Sequence, residues 1–236
     1  MKTSIFETEA GAGRFAADGA AKVLANKKDA VFCLAAGHSS LPFFDAVVSM
    51  DLDFSKTRFI ELDEWMDLPR DAAGSCAGFL HKNFFYKTNA KEENIILFDP
   101  LAEDGEAECR RITGKIADWG GIDYLLLGMG LNGHLALNEP GCLPDCAAHV
   151  APLSKTTLEV SPKYFGGSMP SISRGITLGL ADIKAARLIH LLVLGSHKKE
   201  ITNRLLACTK VDPDLPASVL LKLESAVLIL DRAASG

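Results

Sequence analysis

Short, continuously apolar runs recur along the chain and alternate with segments of helical periodicity. Six runs are rich in Ile, Leu or Val, as expected for strands covered on both faces: Ala30–Ala35, Arg58–Leu62, Asn94–Phe98, Asp123–Gly128, Leu188–Gly195 and Ala226–Asp231. Between them, apolar residues return every three or four positions, for example at Ala16, Ala20, Val23 and Leu24 and at Cys109, Ile112, Ile116 and Trp119. The pattern predicts an α/β fold with a doubly wound, mainly parallel sheet and helices on both faces, a three-layer, Rossmann-like arrangement.

The alternation of apolar runs and helical segments continues along the chain without a break that would mark a domain boundary. We find no internal repeat, low-complexity tract or linker in the 236 residues, and this length suits one domain. We therefore predict a single domain over residues 1–236. The stretch from Gly141 to Gly175 is the least regular, with prolines at positions 144, 152, 162 and 170, and we expect a small flexible lid there.

Charge and hydropathy narrow the range of partners. The net charge of −5 and the pI near 5.7 argue against nucleic acid, although a few local donors are enough for a phosphate. No apolar stretch approaches the roughly 20 residues of a membrane span, and the N-terminus lacks the apolar core of a signal peptide. We expect a cytoplasmic protein without a membrane partner, and self-association into a homo-oligomer stays open.

The six cysteines suggest neither a metal site nor a disulfide framework. Only Cys142 and Cys146 are close in sequence, and no second Cys or His pair completes a zinc site. We expect free thiols in a reducing compartment and no bound metal.

Chemically active residues follow several of the predicted strands. Ligands of open parallel sheets bind beyond the carboxyl ends of the strands, where loops lead into helices. Four segments occupy such positions: Ala36–Ser40, Asp63–Pro69, Gly128–Glu139 and the turn with Lys198. We therefore expect them to meet at one rim of the sheet and to form a single site.

The first of these loops has the composition of a phosphate cradle. Gly37 permits a tight turn, Ser39 can donate a hydrogen bond, and a helix starting near Leu41 offers free N–H groups to an anion. His38 lies in the same loop. The alternative is that a serine of this loop only caps the helix.

The second loop carries two adjacent carboxylates, Asp63 and Glu64. At the end of a buried strand, desolvation and like charge can raise the pKa of a carboxylate into the range of a general base. The alternative is that both are solvated and that Trp65 only anchors the loop.

The segment Gly128–Pro140 has three glycines in six residues, which permits a sharp turn beside a cleft. It brings His134 near Asn132 and Glu139, and a histidine oriented by such acceptors can shuttle protons near neutral pH. The segment does not match a dinucleotide-binding loop well, because no acidic residue follows at the end of the next strand, about 20 residues further along the chain. We predict no nucleotide cofactor. The alternative is a structural loop with a buried, hydrogen-bonded histidine.

Two lysines near the predicted rim, Lys163 and Lys198, are candidates for phosphate ligands. The alternative for each is a solvated surface position.

The order of these loops resembles the glucosamine-6-phosphate deaminase family, also called glucosamine-6-phosphate isomerase, and most of all its galactosamine-6-phosphate deaminase/isomerase branch. The resemblance covers essentially the whole chain. Its most specific parts are Leu62–Trp65, Gly128–Pro140 and Arg174–Leu180. The motifs Leu-Asp-Glu-Trp and Asn-Gly-His look like those of the galactosamine branch. The glucosamine enzymes usually have Met-Asp-Glu-Tyr and Asp-Gly-His at these positions.

The resemblance implies a reaction: isomerisation with deamination of a hexosamine 6-phosphate, with galactosamine 6-phosphate giving tagatose 6-phosphate and ammonia, without a cofactor. It also implies roles for particular residues. Asp63 moves the C2 proton to C1 with support from Glu64, His134 opens the sugar ring, and Glu139 orients that histidine.

The resemblance further implies a phosphate site. The loop of Gly37, His38 and Ser39 holds the phosphate together with Lys198, and Lys163 stands where the family commonly has an arginine.

Two residues depart from the family pattern. Asn132 occupies a position that is aspartate in the deaminases at large, and an asparagine accepts a hydrogen bond but cannot stabilise an imidazolium by charge. His38 replaces a small residue, often glycine, in the phosphate loop. Both residues bear on which sugar epimer is preferred, and Asn132 also bears on the rate.

Three alternatives to the galactosamine enzyme stay open. The first is a glucosamine-6-phosphate deaminase. The second is a 6-phosphogluconolactonase. That family, however, typically has Asp-Glu-Arg where this chain has Asp63-Glu64-Trp65, and it lacks the Asn-Glu-Pro motif that ends here at Pro140. The third is a non-catalytic sugar-phosphate-binding paralogue, although only about nine residues precede the first predicted helix and leave no room for a DNA-binding segment.

Overall fold

The computed structural model of the chain describes residues 1–167 and 170–235. Its ten strands in these ranges are β1 Lys2–Phe6, β2 Val31–Leu34, β3 Arg58–Glu61, β4 Asp63–Trp65, β5 Ile95–Ile96, β6 Tyr124–Leu127, β7 His149–Pro152, β8 Arg174–Thr177, β9 Ile189–Val193 and β10 Ala226–Asp231. Its eight α-helices there are α1 Glu9–Asn26, α2 Leu41–Val48, α3 Cys76–Asn83, α4 Gly105–Asp118, α5 Lys155–Val160, α6 Leu180–Lys184, α7 Lys199–Ala207 and α8 Arg232–Ser235.

A seven-stranded sheet forms the centre of the fold, with strand order β1-β10-β9-β6-β2-β3-β5. All neighbouring strands in it are parallel. The crossovers run through helices, and the order reverses beside β2, where ligand sites of such sheets form. The predicted α/β class with a doubly wound parallel sheet is confirmed.

Helices cover both faces of this sheet, which explains why its strands read as continuous apolar runs. Side chains of β2 alternate between two cores: Val31 and Cys33 pack on one face, Phe32 and Leu34 on the other. The first core includes side chains of α4 and α7, and the second includes those of α1 and α2. Each strand residue is thus buried whichever way it points.

The outermost strands are the ones that the apolar pattern predicts least well. Strand β1 pairs with β10 at the edge, and most of its side chains are exposed, so Lys2–Phe6 carries no apolar run. At the opposite edge, β5 spans only Ile95–Ile96, where the sequence predicts Asn94–Phe98. Edge strands have one sheet neighbour and lack the double burial that makes central strands recognisable.

A second, three-stranded antiparallel sheet in the order β4-β8-β7 stands beside the carboxyl ends of the main sheet. Strand β4 begins one residue after β3, at Asp63, which pairs with Thr177 of β8. Strands this short resemble loops in their sequence. Their pairing nevertheless fixes the direction in which Asp63 leaves the main sheet.

The expected lid, residues 141–175, is more regular than its sequence suggests. It contains β7, α5, a 3-10 turn over Ser161–Phe165 and the first residues of β8. Ser168 and Met169 of this stretch lie outside the described residues. In the part of the chain that the structure describes, no helix is both long and apolar enough to cross a bilayer.

Candidate active site

The four loops singled out in the sequence meet at the carboxyl edge of the main sheet and line a cleft. The cleft comprises two adjoining cavities of about 640 Å³ and about 200 Å³. Asp63, His134, Lys163 and Lys198 line both cavities. The predicted convergence of these segments on one site is therefore what the structure shows.

Asp63 stands where the chain passes from β3 into β4, at the floor of the cleft. Its side chain reaches the cavity but is otherwise enclosed by protein. Burial, with the nearby charge of Glu64, raises its pKa to about 7. A carboxylate with this pKa can accept a proton near neutral pH and return it within the same reaction.

Glu64 does not line the cleft, so the support that it gives to Asp63 does not involve contact with a molecule bound there. Its side chain is fully buried and accepts hydrogen bonds from the backbone N–H groups of Trp65, Cys76 and Ala77, at 2.8, 2.9 and 2.9 Å. Two of these donors open helix α3, which forms one wall of the cleft. Glu64 therefore joins the strand of Asp63 to that wall and acts on Asp63 through its charge.

Trp65 anchors the same loop, as one interpretation of the sequence proposes. Its indole Nε1 donates to the carbonyl of Gly74 at 3.1 Å, and its ring packs near Tyr164 and Phe165. The carboxylates beside it are nevertheless not on the open surface: Glu64 is fully buried, and Asp63 faces the cleft. The anchoring role of Trp65 and the functional placement of Asp63 are compatible.

His134 forms a second group of polar contacts, on the turn after β6. Its Nδ1 lies 3.3 Å from the Glu139 carboxylate and 3.3 Å from the hydroxyl of Thr157. Burial acts to raise the pKa of Glu139, but hydrogen bonds from His134, Thr157 and Asn132 lower it to about 2. The histidine is thus held by a partner that is ionised at neutral pH, and this contact fixes its ring orientation.

Asn132 donates a hydrogen bond to Glu139, and the negative charge beside the histidine is that of Glu139. Its side-chain amide donates to Glu139 Oε2 at 2.8 Å, while its oxygen accepts the backbone N–H of His134 at 3.2 Å. An aspartate at this position would lack that donor. The departure from the family pattern is therefore accommodated, since Glu139 supplies the negative charge beside the ring.

The ring of His134 lies directly against Gly130. A Cβ at position 130 would stand 2.4 Å from two atoms of the imidazole, closer than real Cβ contacts allow. At Gly128, two residues earlier, a Cβ would meet nothing within 4 Å. Of these two glycines, only Gly130 is required by the position of the histidine.

Thr157 and Ser154 are site residues that the sequence interpretation missed. The Thr157 hydroxyl donates to Glu139 Oε1, and the Ser154 backbone N–H donates to the same oxygen at 3.2 Å. The Ser154 hydroxyl also caps α5 by accepting from Thr157 N at 3.1 Å. The spacing Ser-x-x-Thr signals such a helix start, but only the folded chain shows that this start faces Glu139.

The smaller cavity has the donors expected of a phosphate site. Gly37, His38 and Ser39 line it beside Lys198, whose ammonium donates to the carbonyl of Met129. Burial, and to a lesser extent the charge of Lys163, lowers the pKa of Lys198 to about 8. A buried cation of this kind gains from an incoming anion, because the anion replaces the lost hydration.

The roof of this cavity comes from the expected lid. Lys163 is an exposed residue whose ammonium lies 4.9 Å from the centre of the Tyr164 ring, and that ring lies 5.4 Å from the ring of His38. A Cβ at Gly37 would meet only the Tyr164 hydroxyl, at 4.0 Å. The serine loop leaves an open cradle there, and Ser40, the cap of α2, makes no side-chain capping bond.

Fold and site together define an α/β enzyme that brings a desolvated base, an oriented histidine and an anion site into one cleft. The comparisons with known proteins agree with this class. The family model described as glucosamine-6-phosphate isomerases/6-phosphogluconolactonase matches residues 7–229. The chain belongs to this family.

Two curated relatives show where in the family the chain stands. Over 202 residues it is 40% identical to the Escherichia coli protein named "Putative deaminase AgaI", with 84% of this chain and 79% of that protein covered. Over 233 residues it is 33% identical to the glucosamine-6-phosphate deaminase of Bacillus pumilus, with 97% and 96% covered. The predicted enzyme class, an amino sugar phosphate isomerase/deaminase, is confirmed.

Solved structures give the same result for the fold. A structure described as a monomeric glucosamine-6-phosphate deaminase of the NagB superfamily matches with a TM-score of 0.95 at 29% identity, covering 100% of this chain and 99% of that one. A 6-phosphogluconolactonase of Thermotoga maritima matches with a TM-score of 0.77 at 22% identity, covering 98% and 100%. The second likeness shows a shared fold.

Proposed function

We propose that this chain isomerises and deaminates galactosamine 6-phosphate, releasing ammonia and tagatose 6-phosphate. One observation carries the reaction type: Asp63 and His134 line the same two cavities as Lys198. A single hexose phosphate bound there reaches the base, the histidine and the cation at once.

The galactosamine epimer is the finer part of this proposal. It is supported by the Leu-Asp-Glu-Trp motif that contains Asp63 and by the asparagine at position 132. The chain also shares more identity with the AgaI deaminase, 40%, than with the Bacillus glucosamine-6-phosphate deaminase, 33%.

The phosphate binds at the narrow end, where Lys198 and the loop of Gly37, His38 and Ser39 supply donors, with Lys163 above them. Fixing this end of the substrate aligns C1 and C2 over Asp63 and converts binding energy into orientation. His134 moves a proton from the C1 hydroxyl to the ring oxygen and so opens the ring to an aldehyde.

Asp63 then takes the proton from C2, which leaves an enol-type amine intermediate, and returns it at C1. A proton also passes from the amine to the C1 oxygen, and the product is an imine at C2 with a hydroxyl group at C1. Water adds to the imine, and ammonia leaves to give the ketose. Positioned acid–base groups of this kind contribute about 10² to 10⁴-fold each to the rate.

An assay of ammonia release with galactosamine 6-phosphate and glucosamine 6-phosphate tests the proposal. We expect kcat/KM to favour the galactosamine epimer by roughly tenfold or more, because a misplaced hydroxyl leaves a polar partner in the site without its hydrogen bond. A preference for glucosamine 6-phosphate would identify a glucosamine enzyme. Hydrolysis of 6-phosphogluconolactone without ammonia release would identify a lactonase, and binding without turnover a non-catalytic paralogue.

We also propose that the enzyme is cytoplasmic and that its own side chains carry out the chemistry. In this proposal the chain forms one domain over residues 1–236, and residues 141–175 close over the substrate. Light scattering would measure whether the chain forms a homo-oligomer. One relative of known structure is described as monomeric.

A further inference from the structure

Two histidines from different strand ends face the smaller cavity of the cleft. His38 lies in the loop after β2, and His197 lies in the 3-10 turn Ser196–Lys198 after β9. In the sheet, β6 separates these two strands, so the imidazoles approach the cavity from two sides. The proposed reaction gives a place to His38 in the phosphate loop, but it assigns no task to His197.

The position of His197 is set by the backbone of its own turn. Gly195 has a φ of 87°, and a Cβ there would stand 2.8 Å from both Cε1 and Nδ1 of the His197 ring. The same Cβ would stand 3.8 Å from Glu9 Oε1, so the imidazole and this carboxylate approach one point above Gly195. Glu9 and His197 both line the cavity. His197 therefore has an acidic neighbour at the cavity wall.

His38 approaches the cavity from the side of the lid. The centre of its ring lies 5.4 Å from that of Tyr164 and 6.4 Å from that of Phe79. The ammonium of Lys163 lies 4.9 Å from the centre of the same Tyr164 ring. His38 and Lys163 are thus placed near one another by a shared aromatic neighbour.

The charges around the two histidines come from several elements. The titratable side chains that line the smaller cavity, of about 200 Å³, are Glu9, His38, Asp63, His134, Lys163, Tyr164, His197 and Lys198. Behind His197, Asp231 accepts the backbone N–H of Gly195 at 3.0 Å. Further charges on adjoining helices are those of Lys82, Lys199, Glu200 and Arg232, and Arg232 is paired with Glu7.

The protonation of the two histidines reflects these surroundings. Burial, and then the charge of Lys163, lowers the pKa of His38. Burial also lowers the pKa of His197, with the charges of Lys198 and Lys163 acting in the same direction and the two nearby carboxylates against it. Because the ordinary value for histidine is about 6.5, both rings are mostly neutral at pH 7 before an anion binds. A phosphate group carries about −1.5 to −2 charges at pH 7 and reverses this balance, since it favours the charged imidazole.

We propose that His197 is a further phosphate-binding residue, and that His197 and His38 take up protons from the solvent when the substrate's phosphate enters the smaller cavity. This inference rests on the proposed function, because it extends the phosphate site of that function. A protonated imidazole has two N–H donors, so His197 can bind the anion with one and Glu9 with the other.

The arrangement has a physical advantage over four permanent cations. Lys163 and Lys198 attract the anion, and further positive charge beside them would be costly without one. The histidines add their charge only when the anion compensates it. Affinity for the phosphate end of the substrate should therefore rise as pH falls, by about tenfold per pH unit for each proton taken up.

Calorimetric titration of the full-length chain with sodium sulfate tests this inference. Sulfate remains a dianion near neutral pH, whereas phosphate itself gains a proton there. Titration at pH 6.5 and constant ionic strength, in two buffers of different ionisation enthalpy, measures the protons taken up for each sulfate bound. At this pH most of Asp63 and Lys198 already carries its proton, since the pKa values are about 7 and about 8. We expect roughly one proton per sulfate, and about tenfold tighter binding at pH 6.5 than at pH 7.5.

Variants assign these protons to their residues. His38→Asn/His197→Asn should bind sulfate about tenfold more weakly at pH 6.5 and take up roughly half as many protons or fewer. His197→Asn alone should show part of both losses. His149→Asn is the matched control, because His149 lies on β7 and is not part of the lining of either cavity. It should behave like the unchanged chain, and Asp63→Asn should keep most of the uptake.

Proton NMR of the imidazole rings gives a second readout on the unchanged chain, with the single variants assigning the signals. In saturating sulfate we expect the pKa values of His38 and His197 to rise by about one unit, while the His149 signal does not respond. Sulfate binding without proton uptake, uptake that persists in the double variant, or a His197 signal that ignores sulfate would overturn the inference and leave the phosphate site intact. A chain that binds neither sulfate nor phosphate would overturn that site as well.

Discussion

The two sides of the cleft use carboxylates in opposite ways. On the side of β3 and β4, burial and the charge of Glu64 raise the pKa of Asp63 to about 7. On the side of the turn after β6, hydrogen bonds overcome burial and lower the pKa of Glu139 to about 2. Both carboxylates are enclosed by protein, so burial alone does not decide their state.

The difference lies in the donors that each carboxylate finds. Glu139 accepts from Asn132, Thr157 and the backbone of Ser154 and lies beside an imidazole. In contrast, within the residues that the structure describes, only burial and the charge of Glu64 act on the pKa of Asp63, and no hydrogen-bond donor lowers it. A base that must gain and lose a proton is left without donors, whereas an orienting group that must stay charged is surrounded by them.

The largest effect is expected from Asp63→Asn, which keeps the shape and removes the base. We expect kcat to fall by about 10³-fold or more, while inorganic phosphate still binds at the end with Lys198. Stopped turnover in an ammonia assay, with phosphate binding followed by calorimetry, checks this.

Asp67→Asn is the matched control for that variant. Asp67 is exposed, pairs with Arg174 at 2.9 Å and has a φ of 66°, which asparagine tolerates. Its activity should stay within about twofold, because an exposed ion pair contributes little. Normal turnover in Asp63→Asn would remove Asp63 from its role.

The next effect concerns the histidine side. Gly130→Ala places a methyl group where the His134 ring lies, and we expect kcat/KM to fall about 10²-fold, since small displacements of a catalytic group are costly. Gly128→Ala, where a Cβ meets nothing within 4 Å, should leave kcat/KM nearly unchanged. Equal kcat/KM values in the two variants would contradict the close contact between Gly130 and His134.

The two carboxylates should also have opposite effects on stability. The raised pKa of Asp63 makes its ionisation costly in the folded chain, so stability falls as pH rises from about 4 through 7. The lowered pKa of Glu139 stabilises the fold above about pH 4.5, and this contribution is lost as pH falls toward 2.

At pH 8 we therefore expect Asp63→Asn to raise the free energy of unfolding by roughly 2 kcal/mol, allowing for the contact of Asp63 with cleft water. Glu139→Gln should lower it by a similar amount. Urea unfolding at pH 8 and pH 5 measures both, and the gain in Asp63→Asn should shrink at the lower pH. Changes of the same sign in both variants would contradict the contrast.

The smallest effect is expected at Thr157. Thr157→Val removes one donor from Glu139 without changing volume, and we expect kcat to fall about tenfold with a shifted pH–rate curve. Thr157→Ser keeps the hydroxyl and should restore most of the activity. A serine variant as impaired as the valine variant would show that packing matters there and not the hydrogen bond.

Sequence patterns predicted the central strands and the four loops because the double burial of parallel strands is visible as apolar runs. They did not predict β1, which is mostly exposed, or the small sheet of β4, β8 and β7, whose strands contain no continuous apolar run. Glu64 is the instructive residue of the site. Its neighbour Asp63 reaches the cleft, but one residue further along a strand the side chain points away from it, toward the start of α3.

The amino-acid sequence determined by itself which strands are central and which loops carry acids, bases and cations, since periodicity and residue type are local properties. Tertiary structure decided the protonation states and the partners. Whether Asp63 or Glu139 keeps its proton depends on donors brought from residues such as Thr157, 18 positions away. Such contacts form only when distant segments pack together, and burial then amplifies each hydrogen bond that is made or missing.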